Sequence, residues 1–296
     1  MKCTLCPREC GVDRKLSYGF CGLSDEMRIA KIMLHQWEEP CICYENGCGA
    51  VFFSGCQLKC VFCQNHEISF DCRGRNVSSD ELSSYFLLLQ EKGASCIDLV
   101  SPTPHVTALI PALKKAKAEG LSIPIVFNSG GYEKVDTLKM LDGLIDVYMP
   151  DFKFYTEEES ALLANAKNYA EKTKEALNEM YRQVGKPQWD GDHLTKGVLI
   201  RHLVLPGFSE SSEQILEAVH HIFGKGGAVL SLMRQYTPIK ECREPKSLRR
   251  KVTTLEYERV VKKAESLGFS FVFTQKKESA DCEFIPDFSV FSDGFR

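Results

Sequence analysis

From about residue 50 onward, short apolar runs alternate with longer amphipathic ones. The runs at 50–54 (AVFFS), 96–101 (CIDLVS), 123–128 (IPIVFN), 144–149 (LIDVYM), 198–205 (VLIRHLVL), 228–233 (AVLSLM) and 269–274 (FSFVFT) are nearly continuous in apolar residues. They read as strands buried on both faces. Between them lie segments of helical spacing, among them SSDELSSYFLLLQEKG, HVTALIPALKKAKAEG, SESSEQILEAVHHIFGKGG and the long charged TEEESALLANAKNYAEKTKEALNEMYRQVG. Their starts are polar, as at Ser79-Asp80, and Gly93, Gly120, Gly143 and Gly185 mark stops. Repeated βα units predict a parallel sheet covered by helices. Six or seven such units fit an open doubly wound sheet or an incomplete (β/α) barrel, and in both the ligands sit at the C-terminal strand ends.

The unusual residues of the chain collect at those ends. A cysteine loop follows the first of these strands, SPTPH (101–105) the second, NSGG (128–131) the third and PDFKF (150–154) the fourth. Arg201 and His202 lie near the end of the fifth, and RQYTPIKECREP (234–245) follows the sixth. One rim of the sheet is therefore the expected site.

Composition narrows the class. Hydrophobic residues make up 44% and charged residues 26%, as in an ordinary globular chain. A formal charge of -3 supplies no basic footprint for nucleic acid. No apolar run approaches the roughly 18 residues of a membrane span. The opening MKCTLCPREC is neither a secretory signal nor a transit peptide, so a cytoplasmic protein without a nucleic-acid or membrane partner is expected.

Fourteen cysteines change the picture. A reducing compartment rules out reading them as a disulfide framework. All but Cys96, Cys242 and Cys282 lie in the first quarter of the chain, which points to metal chemistry there. In VFFSGCQLKCVFCQN, Cys56, Cys60 and Cys63 follow a C-x3-C-x2-C spacing. Three thiolates suit a [4Fe-4S] cluster with one iron left open, or three of four ligands of a structural zinc completed by Cys48 or Cys72. Gly55 allows a tight turn off the strand, and Phe62 is placed to shield a cluster from water. Ahead of this loop, Cys3, Cys6, Cys10 and Cys21 form a second group suited to zinc or a second iron–sulfur cluster, or else remain unliganded thiols. The parts played by Cys41, Cys43 and Cys48 stay open, and Cys242 reads as a small hydrophobe.

The C-x3-C-x2-C loop resembles that of the radical S-adenosylmethionine (SAM) superfamily. Together GCQLKCVFCQN, DVYMPDFK, IRHLVLPG, MRQYTP and the terminal CEFIPDFS resemble the branch containing pyruvate formate-lyase activating enzyme. The resemblance implies a partial (β/α)6 TIM-type barrel at 46–296 behind a cysteine-rich extension at 1–45. It implies that Cys56, Cys60 and Cys63 hold a [4Fe-4S] cluster that passes one electron to SAM. The carbon–sulfur bond then breaks to methionine and a 5'-deoxyadenosyl radical, which takes a hydrogen atom from substrate.

By the same resemblance, Asp151 and Lys153 lie near the polar end of SAM. Met149, Asp151, Asn128 and Ser129 match ligands of a monovalent cation, and Arg201 and His202 match residues approaching SAM. SPTPH departs from the pattern, lacking the carboxylate that receives the SAM ammonium, so Ser101, Thr103 and loop carbonyls are the expected replacements; His105 reads as a helix-start residue. The implied partners are SAM, a one-electron donor such as flavodoxin or ferredoxin, and a protein substrate whose glycine is the target. Modification of a small molecule is the alternative within the enzymes. An electron-transfer or zinc-binding module without catalysis is the alternative outside them.

Overall fold

The computed structural model describes residues 2–239, 245–276 and 286–288; Cys242, Cys282 and most of CEFIPDFS lie outside them. The chain enters through β1 (Arg28–His35) and turns back into β2 (Cys48–Phe53). A short α1 (His66–Ser69) and β3 (Arg75–Asn76) lead to α2 (Ser79–Glu91). Then come β4 (Ile97–Val100), α3 (Val106–Ala118), β5 (Ile125–Ser129), α4 (Val135–Lys139) and β6 (Val147–Pro150). Two helices follow, α5 (Glu157–Ala164) and α6 (Tyr169–Val184), and then β7 (Gln188–Asp190) and β8 (His193–Leu203). The last elements are α7 (Ser209–Phe223), β9 (Val229–Met233), α8 (Thr254–Leu267) and β10 (Val272–Thr274).

The sheet order is β10-β9-β8-β6-β5-β4-β2-β1-β3, with β7 paired to β8. Strands β2, β4, β5, β6, β8, β9 and β10 run parallel, while β1 pairs antiparallel with β2 and β3. Among the described residues β1 and β10 do not pair, so the barrel is incomplete. All seven strands expected from the sequence are present. The additional β1, β3 and β7 are short or of mixed pattern, and therefore gave no clear apolar run.

Side-chain alternation along the parallel strands divides the core into two layers. One face carries Val51, Phe53, Leu99, Phe127, Tyr148 and Ile200 against the helices. The other lines the barrel interior with Ala50, Phe52, Val126, Val147, Met149, Leu199 and Val229. Fully buried aromatics such as Phe53, Phe86 and Phe127 each contribute about 1.5–3 kcal/mol of apolar burial. Helix ends follow local chemistry. Ser78 caps α2 by accepting from Glu81 N, and Thr156 and Thr253 form reciprocal capping boxes with Glu159 and Glu256. The charged run at 156–185 reads as one helical stretch but splits in two, because Asn165 takes a left-handed conformation (φ 49°) and closes α5. Among the described residues no helix is long and apolar enough to cross a membrane.

Candidate active site

The parallel strands all point their C-terminal ends toward one cavity of about 610 Å3. Cys56, Cys60 and Cys63 line it, on the loop that leaves β2. Gly55 turns the chain there at φ +77°, and a Cβ at this position would lie 2.4 Å from Leu23 Cδ1. The loop is then held from several sides. Gly55 N donates to Ile68 O (2.7 Å), Val61 N to Leu163 O (2.9 Å) and Cys63 N to Cys60 O (3.0 Å). Phe62 is buried and packs edge-on against Phe154 and Tyr236.

A residue that the sequence did not flag does much of the holding. Arg8, between two front cysteines, donates to the carbonyls of Gln57 (2.8 Å), Leu58 (3.4 Å), Ala164 (2.7 Å) and Asn165. Its guanidinium lies 4.0 Å from the Phe20 ring centre. Arg14 adds a bond to Pro104 O (2.6 Å), and Thr137 donates to Leu5 O (2.8 Å). The N-terminal extension is thus packed onto the cysteine loop and the strand ends.

Burial raises the pKa of Cys60 well above the ordinary thiol range and raises that of Cys63, although Lys153 pulls Cys60 down and a hydrogen bond with Ser69 pulls Cys63 down. Buried thiols ionise when a cationic metal centre compensates them. Three thiols on one loop facing one cavity form a soft donor set of the kind that suits an iron–sulfur cluster. Among the described residues no three His, Cys, Asp or Glu side chains converge as a single-ion site. The front thiols do lie together. A Cβ on Gly19 would be 3.3 Å from Cys21 Sγ and 3.5 Å from Cys10 Sγ, and Cys3 and Cys6 act on the same neighbourhood.

Opposite the cysteines runs a chain of buried polar groups. Arg201 donates from Nε to Asp151 (3.1 Å), from one terminal nitrogen to Asn128 Oδ1 (2.6 Å) and from the other to Glu38 (2.9 Å). Lys153 donates to the other oxygen of Asp151. Burial alone would raise the Asp151 carboxyl, but the charges of Lys153 and then Arg201 outweigh it and hold the pKa below the usual carboxylate value. Asn128 reaches on to Asp98 (3.3 Å), whose Oδ1 has no hydrogen-bond partner among the described residues. Burial pushes Asp98 well above the usual carboxylate range.

Asn128, Ser129, Asp151, Lys153 and Arg201 line the cavity together. Met149 and His202 do not. Met149 is packed into the apolar interior below. His202 is one residue from Arg201 and hence on the other face, where its ring bonds to Phe152 O (2.7 Å) and Ser212 Oγ (2.8 Å). A satisfied buried histidine is the reading its surroundings support, and its expected approach to SAM is corrected accordingly.

The loops themselves need glycine. Gly131 sits at φ +76°, and a Cβ there would lie 2.1 Å from Asp151 O. The Tyr169 hydroxyl ties this turn to the next loop, meeting Gly130 O (2.8 Å) and Asp151 O (2.9 Å) and accepting from Lys153 N (2.9 Å). In SPTPH, Ser101 lines the cavity in a left-handed conformation (φ 58°), while Thr103 is fully buried. His105 starts α3 and bonds to Ser54 O (2.9 Å), bracing the end of β2.

Two further cavity residues come from the β1–β2 connection, which the sequence presents only as a linker. Glu38 and Glu39 line the cavity from there, beside Trp37, which is 62% exposed. Burial raises Glu39 to about 7. The adjacent WEEP spelling was the available signal, but nothing local says that it folds inward.

An incomplete parallel barrel whose mouth carries three clustered thiols beside a buried polar network defines an enzyme of the radical SAM class. The chain belongs to the Radical SAM superfamily, whose family model matches residues 50–219. An uncharacterized protein of Methanocaldococcus jannaschii is 28% identical over 284 residues, covering 92% of this chain and 76% of that one. Among solved structures, Streptococcus suis SuiB bound to S-adenosylmethionine aligns with a TM-score of 0.53 and 12% identity over 75% of this chain. SuiB bound to its precursor peptide SuiA gives 0.53 and 13% over 80%. Methylornithine synthase (PylB) gives 0.51 and 15% over 83% of this chain and 72% of that one. This chain spans 48% and 51% of the two SuiB chains. At these identities the likeness is one of fold. A [4Fe-4S] cluster and SAM come with the family.

Proposed function

We propose that Cys56, Cys60 and Cys63 ligate the [4Fe-4S] cluster and that the chain activates a partner protein by abstracting a hydrogen atom from one of its glycines. The observation carrying this reading is the cavity that joins the three thiols, the Asp151–Arg201 network and the exposed Trp37. When bound, the cluster and SAM supply the primary radical. The protein's part is to orient and to exclude water. Lys153 and Arg201 are cations suited to the SAM carboxylate, and Asn128, Ser129 and Ser101 offer hydrogen bonds to its other polar groups. An exposed aromatic side chain on the cavity lining suits contact with a protein loop that presents one residue. SuiB, which is similar in fold, is bound to a peptide, which favours peptide modification as the second reading.

Hydrogen transfer distinguishes these readings. The chain is incubated anaerobically with SAM, a reductant and proteins co-purified with it, prepared with deuterated glycine. Deuterium in the 5'-deoxyadenosine supports glycine abstraction. Unlabelled product, with turnover that follows an added peptide or small molecule, removes the activase reading.

Asp151 is assigned to SAM orientation and not to iron. Asp151→Asn should keep the iron content while SAM affinity falls about tenfold or more, given that a lost charged hydrogen bond costs about 1.5–3 kcal/mol. Iron loss with SAM affinity unchanged would reverse the assignment. Within the extension at 1–45, Cys3, Cys6, Cys10 and Cys21 are proposed to hold a second centre, iron–sulfur or zinc. A Cys3→Ser/Cys10→Ser variant should lose that metal, read as total iron plus zinc per chain. Equal metal in variant and parent would show that these thiols bind none.

A further inference from the structure

At the far end of β2 from the cysteine loop lies a third thiol group that the radical chemistry does not use. Cys48 opens β2 and pairs across the sheet with His35. Cys96 stands beside it, since Gly49 of β2 is in register with Ile97 of β4 and Gly49 N donates to Cys96 O (2.8 Å). Cys43 reaches the same point from the β1–β2 connection. The sulfurs of Cys43 and Cys48 both lie against the carbonyl oxygen of His35, at 3.2 and 3.3 Å.

The turn between them is tight. Gly47 N donates to Tyr44 O (2.9 Å), Glu45 is left-handed (φ 52°), and a Cβ on Gly47 would strike His35 O at 2.5 Å. This geometry sets two sulfurs side by side across a short exposed turn. Cys48 is fully buried, whereas Cys43 is half-buried next to exposed Glu45 and Asn46.

We propose that Cys43 and Cys48 are a peroxide-reactive pair, with Cys43 as the attacking sulfur and Cys48 as the resolving one. The Cys43 thiolate attacks one oxygen of hydrogen peroxide; the O–O bond breaks, a sulfenic acid forms, and the displaced hydroxide leaves as water with the proton that Cys43 lost on ionising. Cys48 sulfur then attacks Cys43 sulfur, the S–O bond breaks, and the displaced hydroxide leaves as water with the Cys48 proton. Two thiols lose two electrons and two protons, and peroxide is reduced to two waters.

The local groups favour this division of labour. A hydrogen bond from Cys48 is the largest influence lowering Cys43, to about 6, with backbone N–H groups of Glu38 and Cys48 adding to it against the cost of burial. Cys41, by contrast, is raised to about 12 by burial. A half-buried thiolate of this kind is the species that enters the oxidation ladder. Strand β2 separates the pair from Cys56 by about 20 Å at roughly 3.3 Å per residue. The disulfide would tie down the base of the loop that carries Glu38 to Arg201.

The test uses the full chain with its cofactors, treated anaerobically with one equivalent of hydrogen peroxide, alkylated and cut by a glutamate-specific protease. Cleavage after Glu45 leaves Cys43 and Cys48 on separate peptides unless a disulfide joins them. The expected result is a joined peptide linked Cys43–Cys48 by fragmentation, lost in Cys43→Ser. In Cys48→Ala, dimedone should instead trap a sulfenic acid at Cys43. Cys43 recovered as an alkylated free thiol, or Cys48 found joined to Cys96, would overturn the proposal without touching the assignment of the catalytic loop.

Discussion

A Cys60→Ala chain, reconstituted with iron and sulfide and given dithionite and SAM, should form essentially no 5'-deoxyadenosine. Cys60 is the most enclosed of the three loop cysteines, 8% exposed, and it faces Lys153 across the cavity. An alanine there leaves two thiols for a cluster that needs three, and no other sulfur lines the cavity among the described residues except Met233. The loss should therefore exceed the roughly 10–100-fold that removal of a supporting partner of a metal ligand costs. Fold is not at stake, because Cys60 contributes a small side chain and the loop is held by backbone bonds of its neighbours. The same preparation should show an intact circular-dichroism spectrum and a large deficit of iron. Product formation equal to the parent would remove Cys60 from the ligand set.

The elements of this fold were legible because parallel strands are buried on both faces and announce themselves as apolar runs. The strand next to the edge was not: β1 (RIAKIMLH) mixes charged and apolar positions, and beyond β2 it pairs only at Arg28 and Ile29, with β3. Site residues were legible where spacing carries chemistry. Cys56, Cys60 and Cys63 share one loop, and Asp151 and Lys153 alternate on one extended segment. Adjacent residues were harder. Arg201 and His202 look like one motif, yet strand alternation sends them to opposite faces, one into the cavity and one against α7. Contacts made across long separations left no trace at all. Glu38 meets Arg201, and Glu133, buried and raised to about 7 by that burial, accepts from Gln57 of the cysteine loop (3.2 Å). Nothing in either local sequence names the partner.

Arg8 is the strongest instance of such a contact, and its removal should have the second-largest effect. Four carbonyls of the cysteine loop and the end of α5, those of Gln57, Leu58, Ala164 and Asn165, receive its guanidinium. Hydrogen bonds to a charged group are each worth about 1.5–3 kcal/mol and are not additive, so Arg8→Ala should cost on the order of 3 kcal/mol overall. That cost falls on the loop more than on the barrel, whose core is made by other residues. The variant should fold, retain its helical spectrum, and lose cluster iron several times faster than the parent under a chelator. Arg8→Lys should rescue little, because an ammonium cannot reproduce a planar fork that reaches two separate loops. The same face of the extension makes further contacts of this kind: Leu23 closes on Gly55 and Arg14 on Pro104. If Arg8→Ala holds its iron as long as the parent does, the extension is only packed beside the loop and does not support it.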